Sequence, residues 1–199
     1  MAYLLLLPLL LALARLKTGR YVFSALTTLS AGLIALTNSA STAAALIACA
    51  LFVSALGDYF MAHRFGDDRT YVFGIGGFFA GHALLIASAA TRLTFSPMAL
   101  VVGVLLCGLY AAFLKLHIAS ALPRALRLPA VAYTLISVAG FTLSLMTGDV
   151  MFACALALLL FSDTMIAEAD FAGNPRADRL VLPTYYLCHI LVALSAILI

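Results

Sequence analysis

An all-α integral membrane protein of eight transmembrane helices is the fold class this chain predicts, and three observations carry that expectation. Of its 199 residues, 65% are hydrophobic and 10% charged, against roughly 25% charged in an ordinary soluble domain. The mean hydropathy is +1.16. The apolar residues form long runs between short polar breaks, and the basic residues gather in every second break. A bilayer core asks for roughly 20 apolar residues per helix, and most runs approach that length.

In chain order the runs are about 2–14, 21–37, 41–62, 71–90, 97–116, 129–146, 149–168 and 181–199, read as one transmembrane domain over residues 1–199. The first reaches roughly 20 Å as a helix. Its Leu4–Leu7 stretch has the look of a signal peptide, but Arg15 and Lys17 follow it instead of preceding it, so it is read as a span. Arg15, Lys17 and Arg20 divide it from the second run. Arg64, Asp67, Asp68 and Arg69 close the third, and Arg92 closes the fourth. Lys115, Arg124 and Arg127 follow the fifth, Asp149 the sixth, and Glu168, Asp170, Arg176 and Arg179 the seventh. With both termini on the non-cytoplasmic side, ten of the 11 basic residues fall inside and Arg92 alone falls outside. The net charge of +3 is thus a topology signal and does not point to nucleic acid. Abundant Ala and Leu with short loops suit a bacterial inner membrane.

Two aspartates stand out. Asp58 and Asp163 sit within apolar runs, in the similar phrases Gly57-Asp58-Tyr59-Phe60-Met61-Ala62 and Ser162-Asp163-Thr164-Met165-Ile166-Ala167. A carboxylate at the bilayer centre costs about 2.5–3.5 kcal/mol even on the mildest insertion scale, so it is expected to face a protein interior and to have a function. The bland alternative is a structural hydrogen bond between helices. The runs that follow also match: Phe78-Phe79 through His82 to Ser88-Ala89 reads against Tyr185-Tyr186 through His189 to Ser195-Ala196. This suggests a parallel repeat of four helices plus four, related by an axis along the membrane normal.

Counted inward from Arg64 at 1.5 Å per residue, Asp58 lies about 9 Å deep. Asp163, Tyr133 and Tyr185 count to similar depths from Asp170, Arg127 and Arg179, with His189 and His82 deeper. A shared pocket opening toward the cytoplasmic leaflet is the expectation. Asp58 and Asp163 are its candidate acid/base pair. His82, Tyr133, Tyr185, Tyr186 and His189 are candidates to orient substrate or water, although the tyrosines equally suit an interfacial belt and the histidines helix-to-helix bonds. Arg64, Lys115, Arg124 and Arg127 form a rim suited to a lipid phosphate. Asp149, Glu168 and Asp170 are expected to be solvated, and Asp67 and Asp68 to form a loop cluster with Arg69.

No cofactor or metal is expected. The four histidines form no HxxxH or HExxH spacing. Cys49, Cys107, Cys154 and Cys188 share no ligand spacing and read as small buried packing residues. The glycines from Gly74 to Gly81 lack the Lys-Ser/Thr of a phosphate loop, whereas Gly77 and Gly81 have the spacing of close helix approach.

Several phrases taken together resemble the YhhN-like membrane proteins, which include the mammalian lysoplasmalogenases. They are Ala55-Leu56-Gly57-Asp58, Phe73-Gly74 through Phe79 to His82, Leu128-Pro129 with Tyr133, Phe161-Ser162-Asp163 with Ala167, and Tyr185-Tyr186. The resemblance implies an eight-helix membrane protein that hydrolyses the vinyl ether bond of lysoplasmalogens, giving a fatty aldehyde and glycerophosphoethanolamine or glycerophosphocholine. It makes a lysophospholipid the expected substrate and membrane lipids the expected surroundings. The chain departs from the family where Arg20 precedes Tyr21-Val22-Phe23 instead of a Lys-Pro pair, and where His189 stands in place of a usual Gln. A proton-coupled lipid or small-molecule transporter is the alternative, since intramembrane carboxylates in a repeat suit that class too. Hydrolysis of another lipid bond is a further one, without the Gly-x-Ser-x-Gly elbow of a serine mechanism, and a membrane scaffold the last.

Overall fold

The computed structural model describes residues 2–37, 40–63 and 68–199, with only the backbone at Ala2 and Asp68. Arg64, Asp67 and the Asp68 side chain therefore lie outside the described residues, and with them the rim and loop roles expected there. Among the described residues there are eight α-helices and no strand: α1 (Leu6–Thr18), α2 (Val22–Thr37), α3 (Thr42–Ala62), α4 (Asp68–Ala90), α5 (Pro97–Phe113), α6 (Arg124–Ser144), α7 (Val150–Asp170) and α8 (Pro175–Leu198). A 3-10 turn, Ala2–Leu5, leads into α1, and a π-helical turn, Leu114–Ile118, continues α5. Six helices, α3 to α8, are long and apolar enough to cross a membrane, while α2 at 16 residues and α1 at 13 are shorter.

Capping side chains set several starts. Ser41 accepts from Ala44 N before α3, and Ser96 from Ala99 N with Pro97 as first residue of α5. Asn174 accepts from Arg176 N ahead of Pro175 on α8. Two helices begin earlier than their apolar runs suggest, α6 at Arg124 instead of 129 and α8 at Pro175 instead of 181, with Pro129 and Pro183 inside them. Backbone hydrogen bonding continues beyond the apolar stretch, so charged first turns can project past the hydrocarbon.

The packing repeats. α3 lies chiefly on α4, and α7 on α8; α2 packs on α3 and α6 on α7. Across the halves α4 meets α6, and its counterpart α8 meets α2. The main core gathers Ile47, Leu51, Phe152, Leu156, Tyr186 and Val192, and a smaller cluster joins Tyr71, Ile118, Leu122 and Leu126. α5 is peripheral, packing on α6 with Leu100, Val104, Leu105 and Leu109 exposed, as a lipid-facing helix requires.

At the centre of the α3–α4 crossing, Gly77 rests on Gly57: a Cβ on Gly77 would lie 2.9 Å from Gly57 Cα and N. Three expectations about polar and thiol groups are corrected. Asp149 is not solvated: it caps α7 through Phe152 N and binds Arg92 (2.8 Å) and Ser195 of α8 (2.5 Å). Glu168 pairs with His117 at 2.9 Å, and Asp170 accepts from the Tyr71 hydroxyl at 2.9 Å. Cys49, Cys107 and Cys154 are exposed and only Cys188 is buried, because hydrocarbon receives a thiol as readily as a core does.

Gly77→Ala is expected to force α3 and α4 apart and cost about 1–3 kcal/mol. Gly76→Ala, with nothing within 4 Å of its Cβ, should leave thermal unfolding in detergent unchanged or slightly improved. Equal melting temperatures for the two variants would contradict the close crossing.

Candidate functional site

Asp58 sits one turn before the end of α3, 7% exposed. α2 supplies its partner: Thr28 Oγ1 donates to Asp58 Oδ2 at 2.6 Å. One turn earlier on α2, Ser24 Oγ bonds the Tyr186 hydroxyl at 2.7 Å and accepts from Arg15 Nε at 3.2 Å. Tyr185 sets its ring edge-on to Phe78, 5.7 Å between centroids, and its hydroxyl lies beside Asp58 without forming a well-aligned hydrogen bond.

Asp163 occupies the corresponding place on α7, 15% exposed. Ser137 Oγ of α6 donates to its Oδ2 at 3.4 Å, and His82 Nε2 lies 4.0 Å from the same oxygen. The Tyr133 hydroxyl adjoins Asp163 and Ser137. His82 Nδ1 is 3.0 Å from the Phe78 carbonyl oxygen. A carbonyl only accepts, so Nδ1 carries the hydrogen and Nε2 is turned toward the carboxyl group. Tyr133 meets the His82 ring edge-on at 5.2 Å. His189 lies within electrostatic reach of His82 and edge-on to Tyr185 at 4.2 Å; its Nδ1 is buried with no partner among the described residues. Buried polar rings thus run from Asp58 through Tyr185, His189 and His82 to Asp163.

The expected single pocket is corrected to two adjoining cavities. Asp58 opens on one of about 80 Å³ lined by Arg15, Tyr21, Ser24 and Tyr185. Asp163 opens on one of about 90 Å³ lined mainly by apolar groups, among them Ile75, Phe113, Leu114 and Ile118, with Tyr110 and Tyr133. Both share Met61, Phe78 and Ile166 as walls. The Phe78 ring, packed against Gly57 beside Asp58, is a wall of both cavities. Met61 and Ile166 each follow an aspartate by one helical turn, so both carboxylates border the same partition. A groove of about 380 Å³ lined from α5 and α6 borders the Asp163 cavity through Tyr110, Leu114 and Ala130. Lys115 and Arg127 line that groove, while Arg124 is exposed on the first turn of α6.

Thr28, Ser137 and Arg15 escaped sequence reasoning. Hydroxyls are common in membrane helices, so Ser24 and Thr28 four apart were a weak signal, and Arg15 is explained by topology alone until its cavity is seen.

A bundle with six helices of membrane-spanning length, two interior carboxylates and an apolar side chamber defines a multi-pass membrane protein with an acidic intramembrane site. The YhhN family model matches residues 19–196, and the chain belongs to the YhhN family. No curated protein and no solved structure matches it.

Thr28→Val removes the donor held closest to Asp58 and is expected to cost about 1–3 kcal/mol. Ser137→Ala, losing a bond of 3.4 Å, should cost less. Melting curves in detergent that rank the two variants in the opposite order would count against the assigned pairing.

Proposed function

We propose that the protein is a lysoplasmalogenase-like hydrolase, which cleaves the vinyl ether bond of a lysoplasmalogen by carboxylate acid–base catalysis. Family membership and one geometric observation support this: two sheltered carboxylates, each with its own hydroxyl donor, border the same partition between a cavity that holds Arg15 and a mainly apolar one. The chain is read as eight spans, including the short α1 and α2, with both termini on the non-cytoplasmic side of a bacterial inner membrane and the site toward the cytoplasmic leaflet. The repeated packing of α1–α4 and α5–α8 favours the duplication.

Vinyl ethers hydrolyse by protonation at carbon. The two carboxyls divide the work according to their different partners. Asp163 serves as the acid, since His82 Nε2 facing its Oδ2 favours a proton between them. Asp58, accepting the short Thr28 bond, serves as the anion. The Asp163 proton passes to the outer alkenyl carbon as the C=C electron pair forms the new C–H bond. Positive charge spreads over the inner carbon and ether oxygen, stabilised by Asp58. Water adds to that carbon and yields a proton to Asp58. The hemiacetal hydroxyl then returns a proton to Asp163, the C–O bond to glycerol breaks, and Asp58 protonates the departing oxygen. Tyr133, Tyr185 and His82 orient water and the ether, and Tyr186 holds Ser24 and the wall of the Asp58 cavity.

One observation favours a second reading. The Tyr185–His189–His82 track between the carboxylates suits proton movement in a coupled lipid transporter. Aldehyde release by purified protein without a gradient separates the two.

Asp58→Asn and Asp163→Asn are each expected to lower aldehyde release by about 10²-fold or more while leaving a monodisperse protein in detergent. Mass analysis of products from lysoplasmalogen, a saturated ether lysolipid and an acyl lysolipid checks this. Near wild-type turnover by either variant would defeat the assignment.

A further inference from the structure

The two chambers differ in kind, and the difference orders a substrate. Among the described residues, Arg15 is the only cation lining either carboxylate's cavity. It stands on the last turn of α1, half-buried, its Nε held by Ser24 at 3.2 Å and its guanidinium over the Tyr21 ring at 5.0 Å. No carboxylate pairs with it among the described residues, although Asp58 lines the same cavity. A guanidinium fixed by a hydroxyl and an aromatic face is pre-set to receive a phosphate through its remaining N–H groups. Among the described residues the Asp163 chamber has no cation in its lining, and it continues into the largely apolar groove of α5 and α6, where Lys115 and Arg127 stand.

We infer that Arg15 is the phosphate-binding residue of the site, and that a single-chain phospholipid lies across the partition with its phosphate on Arg15 and its hydrocarbon chain in the Asp163 chamber. The order along such a lipid then matches the order along the cavities: phosphate at Arg15, glycerol and ether oxygen near Asp58, the outer alkenyl carbon toward Asp163, chain among Ile75, Phe113 and Leu114. This assignment deepens the proposed hydrolase by giving the acid the chain side and the anion the oxygen side. It also displaces Lys115 and Arg127 as phosphate ligands, because they line the groove on the chain side.

The test is binding, read by titration calorimetry of the full chain in maltoside micelles. The probes are the non-cleavable 1-O-hexadecylglycerophosphocholine and the phosphate-free 1-O-hexadecylglycerol. The wild type should hold the phospholipid about tenfold tighter or more, a preference that Arg15→Gln removes and Arg15→Lys partly keeps. Arg127→Gln should keep the full preference. Inorganic phosphate at the lipid's concentration should leave lipid binding unchanged. Equal binding of both probes by the wild type, loss of preference in Arg127→Gln but not Arg15→Gln, or displacement by inorganic phosphate would each overturn the inference. Arg15-dependent preference without aldehyde release removes the hydrolase reading and keeps the phosphate site. Aldehyde release without preference does the reverse.

Discussion

Burying two carboxyl groups at membrane depth is the constraint on which the rest of this structure depends. Asp58 is 7% and Asp163 15% exposed, so each carboxyl must find donors within the bundle. Thr28 and Ser137 provide them from helices that precede the aspartates by 30 and 26 residues. That requirement fixes α2 against α3 and α6 against α7. The aromatic and histidine side chains of α4 and α8 then close over the carboxyls from the other side. Hydroxyl donor, carboxyl and histidine recur in both halves, whereas Tyr133, Tyr185 and Tyr186 all belong to α6 and α8; Phe78 of α4 stands where α8 has Tyr185, and the two rings are in contact where the halves meet.

Small residues make this enclosure possible. Gly57 immediately precedes Asp58 and lies under Gly77, so the backbones of α3 and α4 approach until Phe78 can reach across the space beside Asp58. On α7 the residue before the aspartate is Ser162, whose hydroxyl instead donates to the Val181 carbonyl of α8 at 3.1 Å. One half closes by steric contact and the other by a hydrogen bond. The Asp58 side is accordingly lined by Arg15, Ser24 and Tyr185, and the Asp163 side opens toward the loosely packed α5 and its π-helical turn. A π turn is a common local adjustment at functional sites, and here it lines the apolar chamber.

The far end of the bundle has a separate tie. Asp149, Arg92 and Ser195 join the start of α7, the end of α4 and the last turns of α8. Ser88, in the matching place on α4, donates to the Ala43 carbonyl at the start of α3 at 2.9 Å. These bonds hold each helix pair together at the end opposite the carboxyls, leaving the inner ends to shape the cavities.

Much of the architecture was legible in composition and pattern. Long apolar runs cannot satisfy their backbone groups in lipid except as helices, so helical class and approximate helix positions follow from the chain alone. The cost of burying charge singled out Asp58 and Asp163, the matching phrases brought Tyr185, His82 and His189 to attention, and depth counted from Arg127 added Tyr133. Tertiary structure decided what one-dimensional spacing does not contain: which hydroxyl faces which carboxyl, and where a ring fills space. Depth along a helix is countable from sequence, but azimuth and neighbour are not. For that reason an expected single pocket became two cavities with Phe78 as a shared wall, Arg15 changed from a topology marker into the cation of one cavity, and Asp149 changed from a solvated end into a pinned cap.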